Sequence, residues 1–143
     1  MSYIGFFIEV YERKESVNSL HRLLKQSKIE NMITRNYKTE EGKENPHKVD
    51  LRQLYNDPSA QIMHITLKPG ESLKSHKTPV DVVFYVLEGT PVVHIGDESK
   101  VIEKDTLVES PADIVHFISN ESHDNIRVLV VKAPRPEKIT KLL

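Results

Sequence analysis

The sequence predicts an all-β domain with a helix-bearing N-terminal extension, and three observations carry that expectation. From Gln61 to Val131 short runs rich in Val and Ile alternate with turn residues. No stretch between them has room for a helix of about ten residues. The chain has 143 residues, the size of one domain with one core. Regularly spaced short strands of this kind belong to a sandwich or a jelly-roll barrel.

Taken in order, residues 3–11 read YIGFFIEVY and fit two patterns. Ile4, Phe6, Ile8 and Val10 alternate as in a strand, while Ile4, Phe7, Ile8 and Tyr11 fall on one helical face; both readings stay open. Residues 16–29 predict an amphipathic helix. Ser16 can cap it, and Val17, Leu20, Leu23 and Leu24 recur at helical spacing between Arg22, Lys25 and Gln26. Its apolar stripe is expected to cover the barrel or a partner subunit. Residues 35–48 are polar, contain Gly42 and Pro46, and read as a linker, so the extension is taken as 1–45. The barrel is expected over 46–134, with strands at Gln61–Leu67, Val82–Leu87, Val92–Ile95, Thr106–Val108, Val115–Ile118 and Ile126–Val131. Residues 135–143 read as a basic tail.

Composition excludes several classes of function. The chain has no cysteine, so disulfides, thiolate metal sites and cysteine nucleophiles are ruled out. The formal net charge is -1, with an acidic middle and basic flanks. The flanks lack the clustered Arg and interleaved aromatics of a nucleic-acid surface, so no nucleic-acid partner is expected. The apolar run Tyr3–Ile8 is too short for a membrane span and lacks a preceding basic residue, so no membrane partner and a cytoplasmic location are expected. No glycine spacing makes a phosphate loop. Ser75 and His76 are adjacent, so on a strand they point opposite ways and make no catalytic pair.

The histidines narrow the site. His76 follows Pro69-Gly70 by a short loop, and His116 follows Ser110-Pro111-Ala112-Asp113 about 40 residues later; each stands at the start of a strand. Inward-facing side chains on two such strands can converge in a closed barrel. Neutral imidazoles are the usual ligands of Fe, Mn, Ni, Cu or Zn in a sulfur-free site.

Residues 70–89, GESLKSHKTPVDVVFYVLEG, resemble the first cupin motif through Gly70, His76 and Gly89. Residues 105–120, DTLVESPADIVHFISN, resemble the second through Pro111, His116 and Asn120, with Asp105 and Asp113 where glycine is usual. The resemblance implies a double-stranded β-helix over roughly residues 50–134. It also implies a metal site of two His and one Glu in the first motif and one His in the second. Carried over residue by residue, those positions are His76, Thr78, Val82 and His116. Two imidazoles remain, whereas a stable site wants three or four protein ligands. Asp81, one residue before the missing Glu, and His64, in the preceding strand, are the candidate substitutes.

The leading expectation is a small molecule bound in the barrel by a pocket of Leu73, His76, Thr78, Val82, Phe84 and His116. With it goes a partial metal site, a divalent transition metal held by His76 and His116. The alternative is a metal-dependent enzyme, dioxygenase- or isomerase-like, using His76, His116 and one substitute ligand. A third reading is an oligomerisation module. His47, His123 and His21 are expected to be solvated, and His94 to face outward. Phe84 and Tyr85 make both faces of their strand apolar, and with the resemblance this implies a homodimer.

Overall fold

The computed structural model describes residues 3–27, 32–138 and 141–143. Contacts divide the chain into two units, Met1–Thr34 and Arg35–Leu143. The first unit contributes one helix, α1 (Tyr3–Ser27). It settles the ambiguity over residues 3–11: no proline interrupts 3–27, and the helical spacing runs on unbroken. Ser16 therefore lies inside the helix and does not cap it. Residues 28 and 29 of the expected helix lie outside the described residues. Ile8, Tyr11, Val17, Leu20, Leu23 and Leu24 are exposed, and Arg13 pairs with Glu9 at 3.0 Å across one helical turn. No described helix is long and apolar enough to cross a membrane.

The described residues of the second unit form ten strands in two five-stranded antiparallel sheets. The strands are β1 (Asp50–Asp57), β2 (Ala60–Leu67), β3 (His76–Lys77), β4 (Val82–Glu88), β5 (Val92–Ile95), β6 (Glu98–Val101), β7 (Leu107–Ser110), β8 (Val115–Ser119), β9 (Ile126–Lys132) and β10 (Lys141–Leu142). One sheet runs β1-β2-β9-β4-β7 and the other β10-β3-β8-β5-β6. The six anticipated strands are all present. The four unanticipated ones lack a clear apolar pattern: β6 is exposed along its length, β3 and β10 have two residues each, and β1 loses its alternation at an irregularity between Gln53 and Tyr55.

Alternation places the core between the sheets. Met63, Ile65 and Leu67 of β2, Val82, Phe84 and Val86 of β4, and Ile126, Val128 and Val130 of β9 all bury inward. Each such side chain contributes about 1.5–3 kcal/mol through lost water contact. Gly89 turns the chain after β4 with φ +75°, and a Cβ there would sit 2.7 Å from Ile126 Cγ2 and 2.9 Å from the Asn125 carbonyl. Glycine is required on both counts. Asp105 and Asp113, at the two positions where the resemblance expected glycine, have φ 61° and 63°. The left-handed backbone is kept and aspartate supplies it, one of the few side chains that tolerates it.

Two segments depart from expectation. The polar stretch 35–48 belongs to the barrel unit. The Arg52 guanidinium on β1 donates to the Tyr37, Lys38 and Glu40 carbonyls at 2.7, 3.4 and 3.1 Å, and Lys43 N–H bonds the Leu51 carbonyl at 2.8 Å. A polar sequence settles there because its partners are backbone groups and a charge. The tail forms β10, whose Leu142 and Lys141 pair with His76 and Lys77.

Candidate functional site

His76 and His116 are direct register partners across β3 and β8, and both are buried. Their Nε2 atoms lie 3.1 Å apart with the rings perpendicular. One self-consistent pattern of hydrogen bonds assigns the protons. His76 Nδ1 lies 2.7 Å from the Lys74 carbonyl, so it carries the proton and donates, which leaves Nε2 bare. His116 then donates its Nε2–H to His76, with Thr78 Oγ1 also 3.3 Å away, and its Nδ1 accepts from the Ser110 hydroxyl at 2.7 Å. Phe84 meets the His116 ring edge-on at a centroid distance of 5.3 Å.

Beside this pair lies a small cavity of about 50 Å³. Its polar wall is His47, His76, His116 and Lys132; the rest is Leu51, Met63, Ile65, Leu73, Phe84 and Val130. Lys132 faces inward because β9 alternates Ile126, Val128, Val130, Lys132, and it pairs in register with Val82. Among the described residues no carboxylate lines this space. His47 accepts the Lys74 N–H on Nδ1 at 2.9 Å, so its Nε2 carries the proton. The backbone of Lys74 thus orients both His47 and His76.

Burial is the main influence on every titratable group here. It lowers the Lys132 amine below its usual range. It pushes His116 to about 4, aided by His76, Lys132 and His47. His47 also falls to about 4, through burial and then His76, Lys132 and Lys74. His76 is lowered by burial and Lys132, against the opposing pull of the Lys74 carbonyl.

Of the expected pocket residues, Leu73, His76, Phe84 and His116 line the cavity. Thr78 and Val82 are buried beside it without forming its wall. The two substitute ligands are placed elsewhere. Asp81 is exposed, and its Oδ1 accepts the Ala112 N–H at 2.8 Å; strict alternation turned it away from inward-facing Val82. His64 is buried on the opposite face of β2 from Met63 and Ile65, under Tyr37, which stacks on it at 4.2 Å. Arg127 donates Nε–H to His64 Nε2 at 3.1 Å, which leaves a protonated, buried Nδ1 with no partner. His94 faces outward as expected, stacked on Phe117 at 4.0 Å. His47, expected to be solvated, lines the cavity instead.

This donor set does not fit a metal ion. The 3.1 Å spacing would let two nitrogens at about 2.0–2.1 Å share one ion at roughly 95–100°. No third ligand converges: among the described residues no group of three His, Asp or Glu is arranged to hold an ion, and His47, the third imidazole on the wall, gives its Nδ1 to the Lys74 N–H and presents a protonated Nε2. Lys132 lines the same space, and its amine, when protonated, opposes a cation.

Two antiparallel sheets wound in this order, with the paired histidines between them, define a double-stranded β-helix. The chain belongs to the cupin superfamily. The cupin domain family model matches residues 63–132. The structure of the protein TT1209 from Thermus thermophilus is 31% identical with a TM-score of 0.64, over 73% of this chain and 100% of that one. The protein MJ0764 of Methanocaldococcus jannaschii, whose structure is described as an RmlC-like cupin with a double-stranded β-helix fold, is 26% identical over 75% of this chain and 96% of its own, with a TM-score of 0.61. The tetracenomycin polyketide synthase protein TcmJ of Streptomyces glaucescens is 36% identical over 83 residues, 55% of this chain and 56% of TcmJ.

The sequence reading missed Lys132, His47 and Ser110. Lys132 had a signal: the inward alternation of β9 continues through it, although it also opens a basic tail. His47 and Ser110 had none, since a loop and a strand end bring them in.

Proposed function

We propose that this protein binds a small molecule inside the barrel, at the His76/His116 pair, without a resident transition metal. The observation that carries the reading is the composition of the cavity wall, in which Lys132 stands opposite Val82, the position where the family's carboxylate ligand is usual. The size of the space supports a ligand of few atoms. Pockets for drug-sized ligands run to roughly 300–1,000 Å³, so a polyketide of the kind TcmJ is named for does not fit about 50 Å³. A metal-dependent enzyme remains the competing class, and metal analysis separates the two. Protein incubated with excess Fe, Mn, Ni, Cu or Zn and then desalted is expected to retain less than about a tenth of an equivalent, as a two-imidazole site holds an ion weakly. Retention near one equivalent that is lost in a His76→Ala, His116→Ala double variant would overturn the proposal.

We also propose a homodimer. Support comes from the outer face of the β1-β2-β9-β4-β7 sheet, where Val83, Tyr85, Leu87, Leu129 and Val131 keep apolar surface partly open. Light scattering is expected to give twice the 16.4 kDa chain mass; a single chain mass would remove the dimer.

A further inference from the structure

The cavity wall also indicates the chemical class of the ligand. We propose that the space between His47, His116 and Lys132 is a binding site for a small carboxylate monoanion, the size of formate or acetate. This deepens the small-molecule reading above and rests on it.

Three observations converge. Lys132 projects from β9 into the barrel and has no carboxylate partner among the described residues, so its charge is uncompensated by the protein. A buried ammonium is retained against its desolvation cost where a ligand supplies the countercharge. His47 has its Nδ1 taken by the Lys74 N–H, and its Nε2–H is the ring's spare donor on the same wall. The remaining surface is hydrocarbon and suits the carbon end of a short acid. Volume sets the upper limit. A water needs about 10–15 Å³ of such space, so about 50 Å³ admits a group of three or four heavy atoms. The imidazole pair meanwhile holds its proton internally, between His116 and His76, and presents no anionic competitor.

The charge of the ligand is the discriminating variable, and acetate and acetamide share a shape. Imidazole resonances of the full chain are followed by NMR at neutral pH during titration with sodium acetate or with acetamide, ionic strength being held with a bulky sulfonate buffer. Acetate is expected to move the His47 and His116 signals saturably and leave His94 unmoved. Lys132→Met and Lys132→Gln are both expected to weaken acetate binding by at least about tenfold, the loss of a charge-assisted contact. Acetamide is expected to bind at least about tenfold more weakly than acetate. Equal binding of acetamide, or acetate affinity unchanged in both Lys132 variants, overturns the carboxylate assignment and leaves the small-molecule reading standing. Absence of any saturable shift also overturns it. Added Mn²⁺ that broadens His76 and His116 selectively at stoichiometric concentration overturns the small-molecule reading itself.

Discussion

Acidification from about pH 7 to about pH 4 is expected to remove on the order of 5 kcal/mol of folding stability, chiefly through buried imidazoles. His47, His64 and His116 are each held near 4 in the fold against 6.5 in the unfolded chain, and His76 is lowered as well. Burial is the leading cause in all four; at His64 it is joined by the charge of Arg127. A base whose folded pKa is depressed stays neutral in the native state while the unfolded chain takes up its proton. Its contribution is therefore complete above 6.5 and is lost as the pH falls toward 4. Each of the three would forfeit at most about 3 kcal/mol over that interval. Solvent screening of these partly buried rings, and the coupling among His47, His76 and His116, reduce the sum to on the order of 5 kcal/mol, which rivals the whole stability of a small domain. Urea unfolding at a series of pH values in acetate-free buffer reads this out. A midpoint flat from pH 6.5 to 4 would show that the imidazoles are not desolvated as described.

The second large effect runs in the opposite direction. Lys132→Met is expected to raise stability by about 2–4 kcal/mol in the absence of small anions, because replacing a buried, uncompensated charge by an apolar side chain of similar length removes a desolvation cost. Val128 and Val130 already make the neighbouring inward positions apolar, so methionine continues the pattern. Thermal unfolding in sulfonate buffer measures it. Saturating acetate is expected to narrow the gap, since a ligand that binds only the folded parent stabilises the parent alone. A variant less stable than the parent would mean that Lys132 makes a favourable contact within the barrel.

Much of this molecule was legible in the sequence. Turn glycines and Val-rich runs located six strands, whereas the strand of Phe84 and Tyr85 read as apolar on both faces, and the structure buries the Val82, Phe84 and Val86 face in the core. His76 and His116 were placed together by motif spacing alone. Legibility failed where structure depends on partners without an apolar signature. Arg52 anchors residues 35–48 through carbonyls, which no pattern of side chains announces. β3 and β10 are short pairings defined by each other. The substitute ligands failed for a geometric reason. Asp81, just before β4, is exposed where its neighbour Val82 points inward, and His64 shares its β-strand with the core residues but on the reverse face. Lys132 was hidden by its chemistry: a lysine at the end of an apolar run reads as the beginning of solvent.

The main chain of Lys74 gives its N–H to one imidazole of the site and its carbonyl to another. Its own side chain is exposed. Two rings from distant parts of the chain therefore take their reference from the two peptide groups that flank one residue, which set the tautomer of each. A map of the site drawn by trimming side chains one at a time would leave this position blank. Exchanging the ammonium for any other group leaves both hydrogen bonds in place, and only a change that removes the amide proton or bends the loop reaches them. The instruction for orienting the site is written there in backbone conformation rather than in residue identity.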